Sequence, residues 1–417
     1  MKRFVARILI FGAMLSLAAC YKHGEPAPAP GGVAVTAGDQ SATLSWTPDS
    51  GVTYWVWCAQ GANITTDNAF SLPGLRIVTD ASTPSVVAGL VNGTNYACMV
   101  NGRYSGGPGG PGSPSASIVP RLAGASWAVG STAITGTINL RGATFGSTFV
   151  AVGDAGAIFT STDGLTWTSI TPPTSSNLYA ATYGGSYIAV GQLGIVFTSA
   201  DAATWTVQTS GTMNDLLALA TTGGGYYVAV GQAGTILYSS GGTTWTVPTT
   251  SPASAAENLT GVAYGTLSTG TYFVAVSDQG RILTSTDGGV TWSSQTQASP
   301  LYAVTYGVDT TVTPNVAKFV AVGASGAVLT SIDATTWTSQ TALGTSALRS
   351  VTFGRQFIAV GDSGSIFTSA SAIDTSWAQQ TSGVTTQNLL AIAHNSIASA
   401  PFGYVAVGTS GTNLTAY

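Results

Sequence analysis

Charge is what this chain has least of. Only 7% of its 417 residues are charged, twelve basic against sixteen acidic, and there are two histidines and three cysteines. Each shortage removes a class of function. The acidic balance lacks the cationic face that phosphate backbones demand, so no nucleic-acid partner is expected. The two histidines, His23 and His394, belong to no Ser/His/Asp set and to no His/Cys cluster with metal-ligand spacing. No phosphate-cradling glycine loop occurs, so neither metal nor cofactor is expected. Past the first twenty residues, no apolar run is long enough to cross a membrane as a helix. With so few charges, Thr, Ser, Asn and Gly must hydrate the surface.

What the chain has in abundance is repetition. One phrase, an aromatic and an apolar residue followed by Ala-Val and a turn, occurs seven times: FVAVGDAG at Phe149, YIAVGQLG at Tyr187, YVAVGQAG at Tyr227, FVAVSDQG at Phe273, FVAVGASG at Phe319, FIAVGDSG at Phe357 and YVAVGTSG at Tyr404. Steps of 38 to 47 residues separate the copies. Before each lies a run opening on Leu140, Leu178, Leu216, Leu259, Leu301, Leu348 or Leu389, and after each come an FTS-like run and a segment opening on Trp. Short runs rich in Val, Ile, Phe and Tyr, bounded by Gly, Ser and Asp, read as strands. Four strands per repeat near a period of 40 predict propeller blades. Six repeats end on Trp167, Trp205, Trp245, Trp292, Trp337 and Trp377, and the seventh has no such strand. Trp127 stands ahead of the first repeat and supplies one. The expected fold is therefore all-β, with a seven-bladed propeller over 122–417 closed by an N-terminal strand near 125–130.

Ser285-Thr286-Asp287-Gly288-Gly289-Val290-Thr291-Trp292 fits the pattern S-x-D-x-G-x-T-W in full, and shorter versions carry Asp163, Asp201 and Asp333. The repeat resembles the BNR/Asp-box propellers, most of all the Ycf48/Hcf136-type subgroup. That resemblance implies a role in assembling a membrane protein complex. The four aspartates read as structural, with metal or sugar binding as the alternative: Asp and Ser side chains bond nearby N–H groups and pin a tight turn, and each Trp buries a large apolar surface.

Residues 31–121 read as a separate module of seven short strands. Trp46 in the second strand, and Leu90-Val91-Asn92-Gly93-Thr94-Asn95-Tyr96 before the sixth, resemble a fibronectin type III β-sandwich, with Tyr96 in the tyrosine-corner position. In such a fold Cys58 and Cys98 fall on neighbouring strands and face inward. A disulfide is expected, with two buried thiols as the alternative. The Gly/Pro-rich stretch 106–114 joins the last two strands and contains no Arg-Gly-Asp tripeptide.

Cys20 reads differently. Lys2, Arg3 and Arg7 precede a short apolar stretch ending Leu17-Ala18-Ala19-Cys20. This is the pattern of a secretory leader over 1–19. Its ending resembles the bacterial lipobox, which implies cleavage before Cys20, acylation there, and a lipidated tether over 20–30. The alternative is ordinary cleavage beside a chance cysteine. Tyr21 at the following position implies outer-membrane sorting in the bacterial cell envelope, facing either the periplasm or the outside. Loss of the three leader cations would leave nine basic residues against sixteen acidic, a net charge near −7.

In propellers the loops leading into the first strand and those after the second share one side, the usual binding side. Asn139, Asn177, Asp215, Asn258 and Asn388 stand there, just before Leu strands. Arg141 and Arg349 follow closely, and Glu257, Arg281, Asp154, Asp278 and Asp362 complete the ligand-face candidates. The asparagines fit ordinary turn chemistry, whereas arginines on a nearly uncharged repeat point to recognition. No catalytic set emerges: the arginines and Glu257 recur in no sialidase-like pattern. Two classes remain, a non-enzymatic lipid-anchored binding or scaffold protein for an envelope protein or polar surface ligand, and a carbohydrate-binding or sialidase-like glycoside-active propeller.

Overall fold

The computed structural model describes residues 26–416 apart from 39, 106, 121–123, 131–133, 135, 136, 381–384 and 396–402. Cys20, the leader and most of the expected tether therefore lie outside the described residues. The chain divides into two compact units, 1–122 and 123–417.

The first unit contains β1 (Ala34–Gly38), β2 (Ser41–Ser45), β3 (Val52–Gln60), β4 (Arg76–Ala81), β5 (Ser85–Ala88), β6 (Tyr96–Tyr104) and β7 (Ala116–Ile118). They form two antiparallel sheets, ordered β1-β2-β5 and β4-β3-β6-β7. Alternation produces the shared core: Leu44, Trp46, Tyr54, Val56, Tyr96 and Val100 pack as one buried cluster with both cysteines. Cys58 and Cys98 stand directly opposite each other on β3 and β6 and are joined by a disulfide. The Tyr96 hydroxyl accepts a hydrogen bond from the Val91 N–H at 3.2 Å, holding the turn ahead of β6. Part of the stretch read as tether packs on this unit instead. Ala27 is buried, Pro26 bridges to Arg103, and the Thr47 N–H donates to the Gly31 carbonyl.

The second unit is built of antiparallel four-stranded sheets. The first comprises β9 (Leu140–Phe145), β10 (Phe149–Gly153), β11 (Ile158–Ser161) and β12 (Thr168–Ile170), paired in that order. The strand β8 (Trp127–Val129) pairs antiparallel with Asn413–Ala416, completing the sheet that contains Leu389–His394 and Tyr404–Gly408. Each Leu strand lies against the Leu strand of the next sheet, and Leu389–His394 lies against β9, so the succession closes on itself. The sheet opening at Leu216 has three strands plus an isolated bridge between Tyr238 and Thr246. The repeat predicts a full fourth strand there. Pro248, two residues beyond the bridge, has no N–H to extend the ladder.

The Ala-Val-Gly strands are the buried middle layer, with side chains packed on both faces. Their closing glycine is needed for a close approach. A Cβ on Gly153 would lie 2.2 Å from the Asn139 carbonyl oxygen, and one on Gly231 would lie 1.9 Å from that of Asp215. Trp167, Trp245 and Trp292 are buried between sheets, each contributing roughly 2–3 kcal/mol of apolar burial.

Candidate functional site

The first two residues of every Leu strand carry the features that make a site. In all of the sheets the register with the Ala-Val-Gly strand slips between the Leu and the residue two beyond it. The intervening residue is bulged, with no ladder partner, and a bulge re-aims its side chain. The bulged residues are Arg141, Tyr179, Leu217, Thr260, Tyr302, Arg349 and Leu390, all partly exposed. Because the Leu strands line the centre of the closed succession, these residues form a ring around it at one end.

Two parts of that ring are organised alike. Arg141 pairs with Asp154 of its own sheet, Nε to Oδ1, with a second contact from Nη2 to Oδ2 at 3.4 Å. Its guanidinium also lies 5.6 Å from the centre of the Tyr179 ring in the next sheet. Arg349 clamps Asp362 bidentately, with Nε–Oδ1 and Nη2–Oδ2 both 2.8 Å, and lies 4.9 Å from the centre of the Tyr302 ring in the preceding sheet. Burial works to raise the Asp154 carboxyl pKa, but hydrogen bonds from Arg141 and Asn139 outweigh it and hold the carboxyl below its usual range. Hydrogen bonding to Asp362 raises the Arg349 guanidinium above its already high value. The arginine side chains remain 36% and 37% exposed, leaving an open face on each cation.

The asparagines and Asp215 do something more specific than initiate turns. Each Ala-Val-Gly strand ends in a tight turn, most of them with a non-glycine residue in the left-handed region, such as Ala155 at φ 54° and Leu193 at φ 56°. At every such turn except that of Ser325, where the position is held by Ala347, the N–H of that residue is captured by the side chain preceding the next Leu strand. Ala155 donates to Asn177 at 2.9 Å, Leu193 to Asp215 at 2.8 Å, Ala233 to Asn258 at 3.3 Å and Ser363 to Asn388 at 2.9 Å. Ser410 donates to Asn139 at 3.2 Å, stitching the last sheet to the first. Side chains that tie one sheet to the next in this way have limited capacity left for a ligand.

Solved structures with the same architecture exist. One, a YCF48 bound to D1 peptide, superposes with a TM-score of 0.54 at 16% identity, covering 70% of this chain and 96% of that one. A YCF48 from Cyanidioschyzon merolae superposes at 0.52, also 16% identical, covering 70% and 99%. The second unit has the fold of a β-propeller. No family model and no curated protein matches the sequence.

On the propeller the remaining candidates separate into local pairs. Glu257 is buried and accepts from Arg281 at 3.2 Å and from the Ser254 N–H at 2.6 Å, while Arg281 also donates to the Pro252 carbonyl. This pair braces the loop before Asn258. Asp278 accepts from the N–H and the side-chain amide of Asn258, at 3.0 and 2.8 Å. The propeller thus joins Arg141 to Asp154, Arg349 to Asp362 and Arg281 to Glu257, and does not gather all the candidates into one pocket. The Asp-box carboxylates are committed locally. Asp163 accepts from Ser161, Leu165 and Thr166, Asp201 from Ser199, Ala203 and Thr204, and Asp333 from Ser331, Thr335 and Thr336. Among the described residues, no group of three or more His, Cys, Asp or Glu side chains could hold a metal ion.

Tyr179 and Tyr302, which no motif singles out, are the largest additions to the site. They occupy the same repeat position as Arg141 and Arg349, one residue after the Leu. Aligning the repeats on that Leu exposes them.

Proposed function

We propose that this chain is a non-enzymatic binding protein whose propeller captures a segment of a partner protein at the ring containing Arg141, Tyr179, Tyr302 and Arg349. The observation that carries this reading is the pair of Asp–Arg–Tyr arrangements. Arginine and tyrosine dominate energetic hot spots at protein interfaces, and here the guanidinium is held in place before any partner arrives. One structural neighbour is a YCF48 bound to D1 peptide, and a propeller of like fold that holds a peptide supports a protein partner for this one.

The rest of the molecule is read to match. The propeller has seven blades, with β8 supplying the last strand of the last blade. The first unit is a fibronectin type III module, supported by its strand order and by the hydrogen bond from Val91 to the Tyr96 hydroxyl. Cys20 is the acylated residue that holds both units at a bacterial envelope membrane, and a Cys20→Ser protein should leave the membrane fraction. Crosslinking and affinity capture from native membranes, comparing the intact chain with an Arg141→Ala/Arg349→Ala variant, test the reading directly. One protein retained by the intact chain and lost from a variant of unchanged melting temperature is the expected result. Equal capture by both would overturn the assignment of the site. If neither captured a protein, while glycans bound or were hydrolysed, the carbohydrate-active alternative would take its place.

A further inference from the structure

Elsewhere on the propeller, a cavity of ≈ 240 Å³ lies between the sheets opening at Leu216 and Leu259, lined by Thr222, Tyr226, Tyr264, Thr271, Phe273 and the Asp-box turn carrying Asp287. Its existence has a local cause. At three other junctions a tyrosine hydroxyl reaches the first hairpin of the sheet before. Tyr187 accepts from the Ser147 and Thr148 N–H groups, Tyr227 donates to the Gly184 carbonyl, and Tyr404 accepts from the Arg355 N–H. Here the equivalent residue is Phe273, which like Phe149, Phe319 and Phe357 has no hydroxyl, and what sets this junction apart is the hairpin opposite. The hairpin it would reach is Thr222-Gly223-Gly224-Gly225-Tyr226, whose three glycines offer no side chain to fill the gap. An added Cβ on Gly223 or Gly225 would meet nothing within 4 Å.

The walls have a distinctive chemistry. Tyr226 and Phe273 rings are 6.4 Å apart at 42°, and Tyr264 and Phe273 rings 5.0 Å apart at 49°, so aromatic surfaces meet at an angle. Tyr226 and Tyr264 are partly exposed, and neither hydroxyl has a hydrogen-bond partner among the described residues. Asp287 adds the only charge among the lining residues. Its oxygens already accept from the Ser285 hydroxyl at 2.8 Å and from the Thr291 N–H and hydroxyl at 2.9 and 2.6 Å. Asp287 therefore presents negative charge more than vacant acceptor sites, and the lining residues include no Lys, Arg or His to neutralise it. Ring faces attract a cation through their quadrupoles, and a nearby carboxylate adds to that field. A bulky onium group needs no hydrogen-bond acceptor and leaves little water to displace from its methyl groups.

We propose that this cavity binds a quaternary ammonium group, with the partly exposed Tyr226 and Tyr264 rings flanking the methyl groups above the buried Phe273 ring and Asp287 supplying the countercharge. The site is separate from the central ring and does not depend on the function assigned to it. The test titrates the full chain with choline and with its neutral carbon isostere 3,3-dimethylbutan-1-ol, read by saturation-transfer NMR. Choline should bind at least about tenfold more tightly than the isostere. Tyr226→Ala and Asp287→Asn, checked for unchanged melting temperature, should each weaken choline binding about tenfold. Equal affinity for choline and the isostere, no choline binding, or unaltered binding in folded variants would each overturn the proposal. So would occupation of the cavity by a saccharide in preference to choline. The comparison of two ligands on the unaltered protein stands even if a variant fails to fold.

Discussion

A guanidinium clamped by an aspartate and laid across a tyrosine ring has lost most of its rotamer freedom before a partner arrives. Arg→Lys at 349 therefore keeps the charge but discards both the bidentate clamp and the stacking plane. The expected result is loss of partner capture close to that of Arg349→Ala, checked by the same affinity experiment with salt held constant. A second charged pair has a structural role. Lys318 and Asp309 are almost fully buried, 3.1 Å apart, and Lys318 also donates to the Ser371 carbonyl at 2.7 Å. Removing one partner strands the other, so Asp309→Ala should cost about 3–5 kcal/mol in chemical unfolding. The Asp boxes make the molecule acid-sensitive. Backbone N–H groups lower Asp201 to about 2. In Asp333, desolvation pulls upward and is outweighed by the Thr336 and Thr335 N–H groups, which bring it to about 2. Both values lie below the unfolded value near 3.9. This stabilisation is complete above about pH 4 and is lost as pH falls toward about 2. Urea midpoints at pH 5, 3 and 2 should drop steadily, and Asp333→Asn should flatten that trend.

At the scale of single elements, the repeat in the sequence located nearly every strand, because alternating apolar residues and glycine-bounded turns act within a few positions. Leu140–Phe145 followed by Phe149–Gly153 recurs as a hairpin around the whole unit. Two features were hidden for a physical reason. The bulge at Arg141 is a register event between two strands, and no local propensity encodes it. The asparagine contacts join residues such as Ala155 and Asn177 on successive sheets, so they appear only once the sheets are packed. The arginines were visible because charge is scarce, whereas Tyr179 and Tyr302 resembled ordinary strand residues. In the first unit, Cys58 and Cys98 close a loop of 40 residues. By loop-closure entropy that crosslink is worth about 4 kcal/mol. Cys58→Ser/Cys98→Ser should lower the urea midpoint of the first unit's transition by a corresponding amount and leave the propeller's transition in place.

For the propeller as a whole, closure depends on a strand from the far end of the unit. β8 pairs with Asn413–Ala416, and the Thr415 hydroxyl donates to the Gly164 carbonyl, joining positions 251 residues apart. Removing residues 124–130 would uncover the edge of Asn413–Ala416 and invite intermolecular pairing. Aggregation is the expected outcome, measured by light scattering after expression; a monodisperse, fully folded product would show that another segment closes the ring. Ring closure also imposes an order in time. Synthesis produces β8 before any other strand of the propeller, and its partner is the last strand to be made. Throughout elongation the growing sheets can stack, but the circle stays open and β8 waits with its hydrogen bonds unmet. Loss of Asn413–Ala416 would leave an open ring whose two unpaired strand edges invite pairing with other chains.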